Sequence, residues 1–338
     1  MKILVTGGLG FIGSHTVVEL QAQGYDVVVV DNLSNSTLEV LQGIEAISGI
    51  KPAFENVDLR DKSAIQRFFS AYTDIKGVIH FAASKAVGES IENPLLYYEN
   101  NLSSLIYLLQ QLQEKSEVSF IFSSSCTVYG QAEYMPITEN APIQEAFSPY
   151  GNTKQIGEEI IRDVAKVSGI NAILLRYFNP IGAHESNMIG ELPIGIPQNL
   201  VPFITQTAMG IRQQLSVFGN DYDTVDGTCV RDYIHVVDLA QAHVVALKRL
   251  LEGANEDKVE VYNVGTGKGS SVLEVINAFE KVSQQKLPYQ IVARREGDIT
   301  EAFANTDKVY EKLGWKASKT LEESLLSAWI WENKIRSK

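Results

Sequence analysis

Residues 3–13 read ILVTGGLGFIG, a short apolar run that breaks into glycines at 7, 10 and 13 and passes straight into a helical pattern near Phe11. Few chains can use such a junction except as a strand turning directly into a helix. Glycine allows the tight turn and lets the backbone approach a pyrophosphate, which then rests on the positive N-terminus of that helix. Eighteen residues beyond Gly13, Asp31 closes a second apolar run, Val27 to Val30. A carboxylate there can bind both ribose hydroxyls of a dinucleotide. The following DNLSNS contains no arginine or lysine to accept a 2′-phosphate, so NAD is favoured over NADP.

The first half repeats one cadence. Apolar runs at Ile3 to Val5, Val27 to Val30, Val78 to Phe81, Phe120 to Phe122 and Ala172 to Leu175 alternate with longer helical patterns. Short buried strands separated by helices predict an α/β fold, a doubly wound parallel Rossmann sheet covered on both faces. Leu102, Leu105, Ile106, Leu109 and Leu112 form one helical stripe after Asn100, and Ile156, Ile160, Val164 and Val167 form a second. Either stripe suits a helix covering the sheet or a partner helix in a dimer. After Arg176 the cadence gives way to Pro180, Gly182, Gly190, Pro193, Gly195, Pro197 and Pro202. The expected organisation is a dinucleotide-binding domain over residues 1–178, with 233–250 returning to it, and a smaller α/β substrate domain over 179–338. Within the latter, a helix is expected from about Leu200, strands near Leu215 to Phe218 and Val259 to Val264, and a charged helix at the C-terminus.

Size and charge narrow the function classes. A chain of 338 residues can bury a large core without disulfides or metals, and it leaves room for an enzyme cleft. Its 41 acidic and 29 basic residues give a net charge of −12, a poor match to nucleic acid. The two cysteines, Cys126 and Cys229, show no CxxC spacing, and the five histidines show no HExxH motif, so no metal is expected. His235 and His243 lie eight apart and suit packing or surface roles better than ligation. Glycines interrupt the apolar start at once, and no run reaches membrane-spanning length. A cytoplasmic protein is the expectation.

Tyr150 and Lys154 stand four apart in SPYGNTK, at a predicted helix start just after Pro149. Positions i and i+4 share a helix face, so the ammonium can lie near the phenol and the cofactor ribose. A tyrosine of ordinary pKa near 10 is a poor base at neutral pH, but a nearby lysine and a positive nicotinamide ring favour the phenolate. Phe120 to Phe122 runs as a strand into Ser123, Ser124 and Ser125, at the sheet edge where open α/β folds bind ligands. Ser125 is the candidate to hydrogen-bond the reacting hydroxyl; a capping role is its structural alternative.

Together TGGLGFIG, Asp58, HFAASKAVGES, SSSCTVYG, SPYGNTK, RYFNPIGAH, FGNDY, RDYIHVVDLA and RREGD resemble, in order and through nearly the whole chain, the extended short-chain dehydrogenase/reductase family. The likeness is to the branch that epimerises UDP-hexoses at C4. It implies interconversion of UDP-glucose and UDP-galactose through a 4-keto sugar, with NAD reduced and reoxidised within each cycle, in a homodimer. It also implies that Gly7, Gly10, Phe11, Ile12, Gly13, Asp31, Asn32, Leu33, Ser34, Asn35, Ser36, Asp58, Leu59, Phe81, Ala82, Ala83, Ser84, Lys85, Asn100, Ser125, Tyr150, Lys154 and Phe178 surround NAD, Asp58 meeting adenine. Asn179, Asn199, Leu200, Ser216, Val217, Phe218, Arg231, Arg295 and Asp298 would join Ser125 and Tyr150 on the UDP-hexose, the arginines suiting its diphosphate.

Rival readings and one departure matter. Relatives that remove water from nucleotide sugars carry Asp-Glu directly after the residue matching Ser125, and this chain has Cys126 and Thr127, neither a carboxylic acid. A non-catalytic NAD-sensing module, the rival from another class, would not need Tyr150, Lys154 and Ser125 together. Four residues after Asp298, where bacterial relatives place a bulky aromatic beside the sugar, stands Ala302. The resemblance then implies a wider pocket that admits a 2-acetamido group, unless the neighbouring Phe303 fills the space.

Overall fold

The computed structural model describes residues 1–295 and 297–337. Strand β1 (Lys2–Thr6) is buried from Ile3 onwards, which is why KILVT shows no alternation of polar and apolar side chains. It is followed by helix α1 (Phe11–Ala22) and by strands β2 (Asp26–Asp31), β3 (Ala53–Asn56), β4 (Ile75–His80), β5 (Val118–Ser125) and β6 (Ile170–Tyr177). With Val259–Val264 these form a seven-stranded sheet in the order Val259–Val264, β6, β5, β4, β1, β2, β3. Every pairing in it is parallel. The doubly wound Rossmann sheet foreseen from the cadence is therefore present.

The strand order reverses between β1 and β4, and the crevice at their carboxyl ends is where such a sheet leaves room for a ligand. One face is covered by α1 and the helices Glu39–Ser48 and Val236–Leu251, the other by Lys62–Ala71, Ser104–Leu112 and Pro149–Val167. A further apolar cluster sits between the helices Leu200–Ala208, Val272–Ser283 and Leu321–Arg336 and the parallel pair Leu215–Phe218 and Tyr289–Val292.

The structure departs from the sequence pattern in three places. Val259–Val264, expected among the elements of the substrate domain, instead pairs with β6 as an edge strand of the large sheet. Tyr262 and Val264 join its core together with Val309 and Trp315, so the chain returns to the first unit more often than 233–250 alone. VEVYNV is apolar enough to cover the open edge of β6, and pairing decides its place. The stripe on Pro149–Val167 is also displaced. Val167 is 85% exposed and Ile156, Ile160 and Val164 are half-buried, while Tyr150, Lys154, Gly157, Glu158, Ile161 and Ala165 face the interior. In the other stripe Leu105, Leu109 and Leu112 are buried but Ile106 stays 37% exposed, because the buried face of the helix Ser104–Leu112 is centred on Leu105, Leu108, Leu109 and Leu112 and Ile106 lies about 100° round from Leu105; a π-helical turn, Glu99–Ser103, precedes this helix.

The glycine turn explains its own composition. Gly7 has φ +65°, and a Cβ on it would stand 2.8 Å from the Ala82 nitrogen. A Cβ on Gly13 would stand 2.2 Å from the Gly7 carbonyl oxygen and 2.8 Å from Gly8 Cα. Backbone meets backbone there, and no side chain can move aside. Gly13→Ala is expected to lower unfolding free energy by about 1–3 kcal/mol through overpacking, read as a lower urea midpoint at unchanged slope. An unchanged midpoint would show that the turn yields freely.

Candidate active site

Above the carboxyl ends of β1 and β4 lies a cleft of ≈ 760 Å³. Its walls include Gly7, Gly10, Phe11, Ile12, Gly13, Asp31, Asn32, Ser34, Asn35, Ser36, Asp58, Leu59, Phe81, Ala82, Ala83, Ser84, Lys85, Asn100, Tyr150 and Lys154. Gly10 caps α1 without a side chain, and no acidic residue stands in its first turn, so the leading N–H groups stay available to an anion. The Asp31 carboxylate is almost buried. One oxygen accepts from the Leu9 N–H at 3.1 Å, the other from the Leu33 N–H at 2.9 Å and the Ser36 hydroxyl at 2.8 Å. Held this way, it keeps lone pairs for ribose hydroxyls. A bare helix N-terminus, glycines that a Cβ would fill and an oriented carboxylate fit a dinucleotide whose ribose carries no 2′-phosphate.

Three residues assigned to NAD lie outside this lining: Ser125, at the end of β5, Leu33 and Phe178. Leu33 has φ 59° and packs its side chain on the core, serving Asp31 through its backbone. Phe178 is 3% exposed, within a cluster containing Tyr129 and Ala302. Asp58 lines the cleft but shares its carboxylate with Arg60 at 2.6 Å, whose hydrogen bonds hold its pKa down at about 2. It remains an anionic acceptor, and Arg60 is a cleft residue that the motif order did not single out.

Ser148 caps the helix Pro149–Val167, accepting from the Gly151 N–H at 3.1 Å, with proline at the first position. Tyr150 and Lys154 thereby start the helix on its inward face. The Lys154 ammonium donates to the Ser123 carbonyl at 2.8 Å and lies 5.8 Å from the Tyr150 ring centroid. Ser125 accepts from the Thr127 N–H at 3.2 Å as the cap of the turn Cys126–Tyr129 and also hydrogen-bonds Tyr150. The capping role foreseen as its structural alternative is thus present, in the same hydroxyl that meets Tyr150. Burial pushes the Tyr150 phenol well above its ordinary range and Tyr177 beside it adds to the rise, while the Ser125 hydrogen bond acts the other way. Burial also lowers Lys154 to about 8, against an opposing pull from Glu158. The nearby lysine therefore does not by itself bring the Tyr150 phenol down.

Behind this pair lie groups that sequence spacing did not pick out. Glu158 accepts from the Ser124 hydroxyl at 2.6 Å and from two Arg176 nitrogens at 2.8 and 2.5 Å. Its place four residues after Lys154 was the available clue. Asn101, on the π-helical turn, accepts from the Ser84 N–H at 2.8 Å and donates to the Ser84 carbonyl and the Thr153 hydroxyl, both at 3.0 Å. Thr153 in turn donates to the Tyr150 carbonyl at 2.7 Å. One asparagine thus ties the loop after β4 to the first turn of the Tyr150 helix.

Of the residues assigned to UDP-hexose alone, Asn199 lines the cleft, whereas Asn179, Leu200, Ser216, Val217, Phe218, Arg231, Arg295, Asp298 and Ala302 do not. Four of them form a separate group. Asp298 contacts Arg295 at 2.7 Å and Arg231 at 3.8 Å, and the Arg295 guanidinium lies 5.3 Å over the Phe218 ring. Val217 is wholly buried, which leaves its backbone as the part that can meet a ligand. Ala302 pairs in parallel register with Arg231 and is 2% exposed. His235 accepts from the Val237 N–H at 3.1 Å, and His243 bonds the Leu239 carbonyl at 2.8 Å. Among the described residues, no group of three or more His, Cys, Asp or Glu side chains is placed to hold a metal. No helix among them is long and apolar enough to cross a membrane.

A family model described as GDP-mannose 4,6 dehydratase matches residues 4–327. The UDP-glucose 4-epimerase of Bacillus subtilis is 51% identical over 98% of this chain and 97% of its own length. The human UDP-glucose 4-epimerase is 48% identical over 98% and 96%. The crystal structure of a UDP-glucose 4-epimerase from Bifidobacterium longum in complex with NAD+ and UDP superposes with a TM-score of 0.94 at 46% identity, covering 99% of this chain and 98% of that one.

Lys154 sets a pH dependence for the protein without ligands. With a folded pKa of about 8 against an ordinary 10.5, it sheds its proton in the folded state first, so its contribution to stability rises with pH between these values. In Lys154→Met that rise is expected to shrink by about 3 kcal/mol, measured by urea unfolding at pH 7.5 and pH 10.5. Parallel pH profiles for the two proteins would contradict it.

Proposed function

The chain belongs to the extended short-chain dehydrogenase/reductase family, among the UDP-glucose 4-epimerases, and from that premise we propose that it interconverts UDP-glucose and UDP-galactose at C4, with NAD in the glycine-lined cleft. The observation that carries this is the meeting of Tyr150, Lys154 and Ser125 at one buried corner, with Cys126 and Thr127 where a dehydratase needs carboxylic acids. NAD when bound supplies the two-electron oxidation and the later reduction at C4. Tyr150 takes the proton of the 4-hydroxyl and returns it, Ser125 orients that hydroxyl, and Lys154 supports the phenolate. Low exposure of all three, at 5–6%, keeps water from the 4-keto sugar. UDP, held through Asn199 and the Arg231, Arg295 and Asp298 group, anchors the intermediate while the hexose turns its other face.

Residues 1–178 with their returning segments serve NAD in this scheme, and the remainder serves UDP-hexose. The exposed apolar side chains Ile106 and Val167 support a homodimer through the helices Ser104–Leu112 and Pro149–Val167, testable by sedimentation, and two free cysteines suit a reducing cytoplasm. Ala302 supports a wider sugar pocket. Its methyl is packed in the cluster that includes Cys126, Phe178 and Ile299, Cys126 being the neighbour of Ser125, and it takes less room there than an aromatic side chain would.

Purified protein given UDP-galactose and no added NAD is expected to form UDP-glucose; a 4-keto-6-deoxy product would overturn the epimerase assignment. Tyr150→Phe is expected to lower kcat by about 10²- to 10⁴-fold with UDP binding retained. UDP-GalNAc is expected to turn over in the wild type and to be rejected by Ala302→Tyr, and an undetectable wild-type rate would remove the wider-pocket proposal.

A further inference from the structure

Glu191 stands in a cleft that has to admit two diphosphates, where its own charge works against both. Its contribution must therefore come through what it holds. One carboxylate oxygen accepts from the Asn199 side-chain amide at 2.7 Å and pairs with the Lys85 ammonium at 3.4 Å. Lys85 belongs to the wall that follows β4, beside the glycine turn, and its ammonium lies 6.0 Å over the Phe11 ring. Asn199 caps the helix Leu200–Ala208 on the opposite wall. Its side chain makes no hydrogen bond to that helix, because the amide is turned to Glu191.

The backbone under Glu191 is firmly set. Its carbonyl accepts from the Trp331 indole N–H at 2.8 Å. Gly190 lies so close to that indole that a Cβ would stand 2.6 Å from Trp331 Cγ. Beyond Glu191 the strap to Asn199 carries exposed Leu192, Ile194 and Ile196 over the cleft. An anchored carboxylate thus joins the two walls at the point where this strap begins, and its side chain is 12% exposed, dry enough for a charged hydrogen bond to count.

We propose that Glu191 is a positioning residue that couples the two ligand sites: by holding Lys85 and Asn199 on one oxygen, it makes occupancy of the UDP side tighten the hold on NAD. The identity of the two ligands rests on the epimerase assignment; the coupling does not depend on turnover. Linkage requires the effect to be reciprocal, so it can be read from NAD alone.

The test is the rate of NAD release from the holoenzyme on dilution, with and without UDP, in the wild type, Glu191→Ala and Glu191→Gln. UDP is expected to slow release about tenfold in the wild type and less than about twofold in Glu191→Ala. Glu191→Gln keeps an acceptor for Asn199 but no charge for Lys85, and is expected to fall between them. In steady state Glu191→Ala is expected to raise KM for UDP-galactose about tenfold with kcat within about threefold. Equal slowing by UDP in all three proteins, or none in the wild type, would overturn the proposal. Should Glu191→Ala fail to fold, full wild-type slowing in Glu191→Gln with KM unchanged would overturn it as well. Neither release outcome bears on whether UDP-galactose is converted, so the two proposals fail separately.

Discussion

Glu158 is a carboxylate only 4% exposed, and it accepts from Ser124 at the end of β5 and from two nitrogens of the Arg176 guanidinium on β6. Through it the helix Pro149–Val167 is locked to the centre of the sheet, polar face inward. Removing one partner of such a pair leaves an uncompensated charge, a loss of about 3–5 kcal/mol. The pair is thus best understood as a device for orientation, since a purely apolar helix face would bury Ile160 and Val164 and turn Lys154 away. Arg176 is itself steadied by the Tyr129 ring, 4.8 Å from the guanidinium, and Tyr129 donates to Asn263 on the edge strand at 2.6 Å. The lock therefore spans three neighbouring strands.

Everything at the reacting corner follows from that orientation. Lys154 reaches the Ser123 carbonyl, Tyr150 meets Ser125, and the same burial that excludes water raises the phenol and lowers the ammonium. The free protein thus favours neutral Tyr150, and a positive nicotinamide ring, were it bound beside the phenol, would favour the phenolate. Across the cleft, the glycine turn and Asp31 prepare the place for NAD before any ligand arrives, since each group is already held by backbone donors.

Much of this was legible in the residues. The glycines, Asp31 and the strand cadence act through local geometry, and their positions in the structure follow from spacing alone. Ser148, Pro149, Tyr150 and Lys154 likewise form a helix start whose face is set by the i, i+4 relation. Less was legible where a choice between faces or edges had to be made. Val259–Val264 reads as a strand either way, and only the open edge of β6 decides which sheet it joins. The buried face of the Tyr150 helix carries Lys154 and Glu158, which hydrophobic periodicity discounts. Asn101 acts through a π-helical turn, and no spacing rule anticipates where such a turn falls.

By itself, then, the amino-acid sequence determined the α/β sheet, the dinucleotide turn and the Tyr150–Lys154–Ser125 set, because strand burial, glycine clearance and helix periodicity are properties of neighbours in the chain. Tertiary structure alone decided what surrounds them: Glu158 with Arg176, Asn101 with Ser84 and Thr153, and Glu191 between Lys85 and Asn199. These contacts join residues from 8 to 106 positions apart, most of them on different elements. Their strength comes from exclusion of water, and burial exists only once the whole chain has packed.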